Sequence, residues 1–217
     1  MDSQNITLET NETIEYYNLN SKAFTNSTQK ASLSDIHQEF FSRLQPNSSI
    51  LDFGCGSGRD SAAFKSLGFQ VSAIDGSKKM CEIASEFSGI PVKKMRFEEF
   101  NQIDSYDGIW ACASLLHLSS KKLPEVFQSL MDGLHEKGIL YCSFKYGAFE
   151  GLRNGRFFLD LNEKAFLQMI SSIEQADVLK IWLTEDARKE RKNEQWLNIL
   201  IQKKTESPLE VTNKAAG

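Results

Sequence analysis

One stretch constrains this 217-residue chain more than any other: Ile50-Leu51-Asp52-Phe53-Gly54-Cys55-Gly56-Ser57-Gly58-Arg59-Asp60. An apolar run enters a turn with glycine at every second position. A second apolar run, Val71-Ser72-Ala73-Ile74-Asp75, ends on a lone carboxylate. Read physically, a buried strand stops at a loop without obstructing side chains, and a helix begins on its far side. A second, parallel strand then presents Asp75 at its carboxyl end, beside the same crevice. Such a crevice suits a nucleoside, with backbone approaching the ligand at the glycines and the carboxylate accepting from the two ribose hydroxyls.

The rest of the chain supports an α/β reading. Helical patterns at 13–19 and 35–44 precede the first strand, the second with Ile36, Phe40, Phe41 and Leu44 at helical spacing. Strands are expected at 50–53, 70–75, 92–95, 106–112 and 138–145, with helices at 59–67, 77–87 and 121–134 between them. This alternation predicts a parallel sheet with helices on both faces. Runs such as Ile109-Trp110-Ala111-Cys112 fit strands covered on both sides. After Lys145 the pattern changes to a Gly- and Arg-rich loop over 147–156, then a helix near 162–173. Strands at 178–184 and 196–202, joined by a charged hairpin, would lie antiparallel at the sheet edge. Residues 1–11 and 204–217 lack periodicity and read as frayed ends.

Size and charge narrow the function classes. A chain of this length buries roughly 70% of its unfolded surface and needs no staple of metal or disulfide. The formal net charge of -4 gives no electrostatic reason to expect nucleic acid. Cys55, Cys81, Cys112 and Cys142 include no Cys-x-x-Cys pair and read as buried reduced thiols, so no metal is expected. The N-terminus is too polar for a signal peptide, and no window approaches 18 apolar residues. A cytoplasmic protein without membrane partners is expected.

Glycine spacing separates the cofactor classes. A dinucleotide fold uses Gly-x-Gly-x-x-Gly, but counting from Gly54 and Gly56 the third position is Arg59, and from Gly56 and Gly58 it is Ser61. A phosphate-binding P-loop requires Gly-Lys-Ser/Thr, and no lysine lies here. The loop permits close ligand approach without being built for a pyrophosphate.

The pattern Asp-x-Gly-x-Gly-x-Gly, with an acidic residue ending the next strand, resembles motif I of the class I S-adenosylmethionine (SAM) methyltransferases. Asp75-Gly76-Ser77 followed by Met80 resembles that family's second-strand motif. Tyr106-Asp107-Gly108-Ile109-Trp110-Ala111 followed by Leu116-His117-Leu118 resembles its fourth-strand motif. Leu134-His135-Glu136-Lys137-Gly138-Ile139-Leu140 resembles its Leu-Lys-Pro-Gly-Gly turn before strand five. Together these cover about residues 48–145. Within the family, Gly56-Ser57-Gly58-Arg59-Asp60-Ser61 and the pair Tyr16-Tyr17 look like small bacterial enzymes grouped with tellurite-resistance and UbiG-like methyltransferases.

The resemblance implies a Rossmann-like fold, a mostly parallel seven-stranded sheet with an antiparallel edge strand. With it the chain divides into a helical lid over 1–47 and a SAM-binding domain over 48–203, and the aperiodic 204–217 is expected to be a disordered tail. Asp52 would anchor the glycine loop, and Gly54, Cys55 and Gly56 would lie against the methionine part of SAM. Asp75, Gly76 and Ser77 would take the ribose, Met80 would pack near the adenine, and Ala111 would close the fourth-strand side. The family often has Asp where Arg96 falls, and Arg cannot accept from an adenine amino group. Either backbone at Arg96 and Phe97 reads the adenine or Glu98 does so. Arg59 could pair with the SAM carboxylate or, equally, with Asp60. Tyr16, Tyr17, Asn20 and Phe24 would form the lid over the cofactor, with Tyr17 also facing substrate.

SAM carries its own leaving group, so the protein must chiefly align the acceptor and exclude water. If a base is needed, His117 at the end of strand four is the candidate; the alternative is a structural histidine bonded to backbone. His37 and His135 are given no role. For substrate, Lys145, Arg153 and Arg156 could gather around an anion, with Phe157 and Phe158 as apolar walls. The alternative is a solvated loop whose arginines pair with Glu150 and Asp160. The mixed-sign hairpin 185–194 reads as a solvated turn. The function expected is methyl transfer from SAM to a small-molecule acceptor, anionic or metalloid among the options. A SAM-binding sensor, a non-catalytic partner subunit and a macromolecule methyltransferase are the alternatives. Ala113-Ser114-Leu115-Leu116 stands where an Asn/Asp-Pro-Pro-Tyr/Phe motif for nucleic-acid amino methylation would be. The acceptor and the oligomeric state are not legible.

Overall fold

A computed structural model describes residues 3–205. Seven strands form one sheet in the order β3-β2-β1-β4-β5-β9-β8. β1 (Ser49–Phe53), β2 (Gln70–Asp75), β3 (Val92–Lys94), β4 (Tyr106–Ala111) and β5 (Leu134–Lys145) pair in parallel. β9 (Gln195–Lys203) runs antiparallel to both β5 and β8 (Ala176–Glu185), which gives the expected antiparallel edge. Helices α3 (Arg59–Ser66), α4 (Lys78–Ser88) and α5 (Leu123–Gly133) connect the parallel strands, and α6 (Glu163–Ile170) precedes β8.

The sheet is covered on both faces. One cluster sets Leu51, Ile109, Leu140 and Ile199 against Phe127, Leu130 and Phe166 from α5 and α6. The opposite cluster centres on Trp110 stacked on Tyr141 at 4.0 Å, with Phe40 of α2 (Ser34–Phe41) and Phe64 of α3 packed on it. Successive residues of β4, Ile109 and Trp110, thus point into different cores, as the period of a strand requires.

Three segments depart from expectation. α1 (Ser3–Thr28) is one 26-residue helix where a short helix behind a frayed end was expected. β5 starts at Leu134, four residues early, and absorbs the turn through a register shift between Tyr106 and Gly108. The Gly- and Arg-rich loop is a β-hairpin, β6 (Glu150–Arg153) and β7 (Arg156–Leu159), turning on Asn154 and Gly155 at φ 53° and 76°. The tail expected at 204–217 falls, from 206 onward, outside the described residues. Among the described residues no helix is long and apolar enough to cross a membrane.

Candidate functional site

The carboxyl ends of β1, β2 and β4 open into a cavity of about 170 Å³. Gly54, Gly56 and Gly58 all have positive φ (82°, 55° and 78°), a region only glycine enters at low cost. The loop is fixed because the Gly54 and Cys55 amides both donate to the Ile74 carbonyl at 3.0 Å. Gly58 has a further reason to be glycine. An added Cβ would lie 2.9 Å from backbone atoms of Ala84, so α3 and α4 touch here. An added Cβ at Gly56 would meet only the Phe24 ring, at 3.5 Å, so that face of the loop is open to the cavity.

Asp75 closes the crevice. Its Oδ2 accepts from the Gly56 amide at 2.9 Å and its Oδ1 from the Ser77 amide at 2.8 Å. Burial pushes its pKa up to about 6, while those two amides pull the other way. Each oxygen keeps a further lone pair, and neighbouring hydroxyls of a ribose would be matched donors. Ser77 caps α4 through the Met80 amide and donates to Asn18 Oδ1 of α1 at 2.8 Å.

Asp52 and Asp60 form the floor. Arg59 grips Asp60 with Nε and Nη2 at 2.7 and 2.8 Å. Trp110 Nε1 donates to the same carboxylate at 2.9 Å, and His37 Nε2 lies 3.1 Å from it. Burial opposes ionisation of Asp60, but the Arg59 guanidinium and these donors hold its pKa well below the carboxylate range. Asp52 is pushed the other way, by burial and by the charge on Asp60. Its recorded partner is Ser61 Oγ of α3 at 2.5 Å, rather than backbone of the glycine loop.

A second cavity, of about 330 Å³, adjoins the first. Tyr17, Phe24, Thr28, Arg59, Cys112, Ala113 and His117 line both. At this junction Ala113 has a positive φ of 51°, a sparsely populated conformation for a residue with a Cβ. Its amide is held by Ser143 Oγ at 2.9 Å. His117 Nδ1 lies 2.7 Å from the Phe157 carbonyl, and Nε2 lies 2.8 Å from Tyr17 Oη. A carbonyl only accepts, so Nδ1 carries the proton and the Tyr17 hydroxyl donates to Nε2. Burial lowers the His117 pKa to about 4, so the ring is neutral at neutral pH.

The sequence-selected residues sort accordingly. Tyr17, Asp52, Gly54, Cys55, Gly56, Arg59, Asp75, Gly76, Ser77, Arg96, Phe97 and His117 line the first cavity. Tyr16 lines the second cavity only. Met80 and Ala111, both buried, reach neither cavity; Met95 and Cys112 to Ser114 stand on those sides. Arg96 donates through Nη2 to Asn11 Oδ1 at 2.5 Å, and Phe97 stacks on Phe53 at 4.7 Å. Lys145 lines the second cavity and is paired with Glu194. Arg153 lies outside it, paired with Asp160 at 2.6 Å. Phe157 and Phe158 both pack into the core, and of the two only Phe158 also lines the second cavity.

Several residues escaped the sequence reading. The 185–194 segment is more than a solvated turn, since Asp186, Arg188 and Arg191 line the second cavity with Trp196 and Asn198 of β9. Asn198 was the available signal, a polar side chain, 1% exposed, inside the apolar run Leu197-Asn198-Ile199-Leu200. His37, given no role, belongs to the Asp60 network. Among the described residues no group of three or more His, Cys, Asp or Glu side chains is placed to hold a metal ion.

Residues 50–138 match the family model described as a methyltransferase domain. No curated protein sequence matches the chain. Several solved structures share the fold. A 1,6-didemethyltoxoflavin-N1-methyltransferase from Burkholderia thailandensis, with its substrate and S-adenosylhomocysteine bound, superimposes with a TM-score of 0.70 at 16% identity. The match covers 88% of this chain and 85% of that one. A SAM-dependent methyltransferase from Methanosarcina mazei gives 0.68 at 18% identity, over 81% of this chain and 99% of that one. The cyclase SpnF, which is named for a 4+2 cyclisation, gives 0.71 at 12% identity, over 88% and 95%. At these identities the likeness is one of fold, and the same fold serves more than one reaction.

Proposed function

We infer that this chain, whose residues 50–138 match the model of a methyltransferase domain, binds SAM in the first cavity and methylates a small molecule held in the second. The observation that carries this reading is the shared wall. A nucleoside crevice built on Gly56 and Asp75 opens at Tyr17, Ala113 and His117 into a separate, aromatic-lined chamber. The residues present fit SAM: Asp75 has lone pairs free for a ribose diol, and the loop bears no Cβ at Gly56 to obstruct close approach. When bound, SAM supplies an electrophilic methyl carbon on a sulfonium that is its own leaving group.

The chain's residues align and enclose. Asp75 and the Ser77 turn orient the ribose, and the Arg96–Glu98 backbone borders the adenine side. α1 acts as a lid, tied down by Tyr17 to His117, Asn18 to Ser77 and Thr13 Oγ1 to the Phe157 amide. The Arg59 fork is taken by Asp60, so Arg59 holds the floor of the cavity rather than offering a free fork to the ligand. His117 acts through Tyr17: a proton leaving an acceptor reaches Nε2 only by way of the Tyr17 hydroxyl. The narrower likeness to tellurite-resistance and UbiG-like enzymes is supported by the 56–61 loop and Tyr16-Tyr17 alone.

Isothermal titration with SAM and S-adenosylhomocysteine tests the first half; no binding in the micromolar range would overturn it. A screen of small metabolites and tellurite, scored by acceptor-dependent S-adenosylhomocysteine release, tests the second. Binding without turnover across that screen would favour a SAM-binding sensor or partner subunit.

A further inference from the structure

The charges around the second cavity point to one kind of occupant. Five basic side chains line it: Arg59, Lys145, Arg156, Arg188 and Arg191. Four have carboxylate partners: Arg59 has Asp60, Lys145 has Glu194, Arg188 has Asp186 at 2.6 Å, and Arg191 has Glu194 at 3.5 Å. Among the described residues Arg156 has none. Its hydrogen bond to a side chain, from Nη1 to Tyr17 Oη, is long at 3.4 Å, and its buried Nε has no acceptor. The guanidinium is instead packed among rings, 4.5 Å from the Tyr16 centroid and 5.0 Å from that of Phe158. Cation–π contact offsets only part of the cost of desolvating a charge. A lone, aromatic-bracketed guanidinium facing a chamber is a receptor for an anion.

We propose that the second cavity takes a monoanionic acid with an apolar body, its carboxylate on Arg156 and that body against the aromatic lining. One free guanidinium matches one carboxylate. A phosphate or a dianion would draw on further cations, and here each of those already has a carboxylate partner, with Lys145 and Arg191 sharing Glu194. Arg156 adjoins Tyr17, which lines both cavities, so an acid held there sits beside the methyl-transfer junction. This inference rests on the reading of the second cavity as the acceptor site.

The test uses benzoate, with benzamide as its neutral isostere, on the full chain saturated with S-adenosylhomocysteine. Thermal shift and titration calorimetry are the readouts. Benzoate should bind saturably at millimolar concentration, and roughly tenfold or more tighter than benzamide. Arg156→Met should abolish that preference, and Arg156→Lys should restore it in part. Retained S-adenosylhomocysteine binding shows that each variant is folded. Equal binding of the two probes, no benzoate binding, or an undiminished preference in Arg156→Met would each overturn the proposal. Absence of S-adenosylhomocysteine binding by the wild-type chain would instead defeat the cofactor reading, so the two failures are distinguishable.

Discussion

Tyr17 of α1 donates its phenolic proton to Nε2 of His117, which lies 2.8 Å away and one hundred residues further along the chain. The bond joins the N-terminal helix to the head of β4, and the Phe157 carbonyl on Nδ1 fixes the tautomer that makes it possible. An unfolded histidine titrates near 6.5, whereas burial lowers His117 to about 4. Between those values the unfolded chain binds a proton that the folded chain refuses. Stability present above pH 6.5 is therefore lost as the pH falls toward 4, by about 2–3 kcal/mol for this residue. Urea melts of wild type and His117→Leu at pH 7 and pH 4.5 should show a smaller acid loss in the variant. Equal losses would mean that His117 is not the titrating group.

Asp75 titrates in the opposite sense. Burial raises its pKa to about 6 in the unliganded fold, above its value in the unfolded chain. Its protonated form is tolerated in the fold, but only the carboxylate is a full acceptor for a ribose diol. Affinity for S-adenosylhomocysteine should be flat above pH 7 and fall as the pH drops below about 6. Asp75→Ala should remove that dependence and weaken binding by about 1.5–3 kcal/mol. Calorimetry at pH 5.5 and 7.5 is the check, and a variant that binds as wild type does would remove Asp75 from the site.

Gly56 and Gly58 share a positive φ and do different work. Alanine at Gly58 would drive a Cβ to within 2.9 Å of the Ala84 backbone, which cannot yield without parting α3 from α4. Gly58→Ala should cost about 2–4 kcal/mol of stability, as overpacking adds to left-handed strain. Gly56→Ala meets only Phe24 and should cost about 1 kcal/mol, yet reduce S-adenosylhomocysteine affinity because the Cβ enters the ligand's approach. Denaturation midpoints beside binding constants separate the two. A Gly58→Ala protein as stable as Gly56→Ala would contradict the close-packing role.

The contrast between these glycines shows what was legible. The parallel core followed from alternation alone, since apolar runs of strand length separated by helical patterns admit few arrangements, and the crevice at Gly56 and Asp75 came with it. The second cavity was harder, because its walls come from segments distant in sequence. Phe157 and Phe158 could not be told apart without knowing that 156–159 is a strand, and that strand was missed although Asn154-Gly155 is a strong hairpin turn. Lys145, Arg153 and Arg156 look alike in sequence. Which of them lacks a carboxylate depends on where Glu194 and Asp160 land.

Asp52 and Asp60 provide the last prediction, because identical side chains close together are set to opposite protonation states. Asp60 is ionised: Arg59 grips both its oxygens, with Trp110 and His37 completing the shell. Asp52 is 2% exposed, has Ser61 as its recorded partner, and is pushed toward the neutral acid by burial and by Asp60. An amide is nearly isosteric with a neutral carboxyl, so Asp52→Asn should change stability by less than about 1 kcal/mol. Asp60→Asn leaves the largely buried Arg59 guanidinium without its counter-ion and should cost about 3–5 kcal/mol. Urea melts at pH 7 decide the matter. Equal costs would show that both groups carry charge, which would make the floor of the cavity a site of two anions around one arginine.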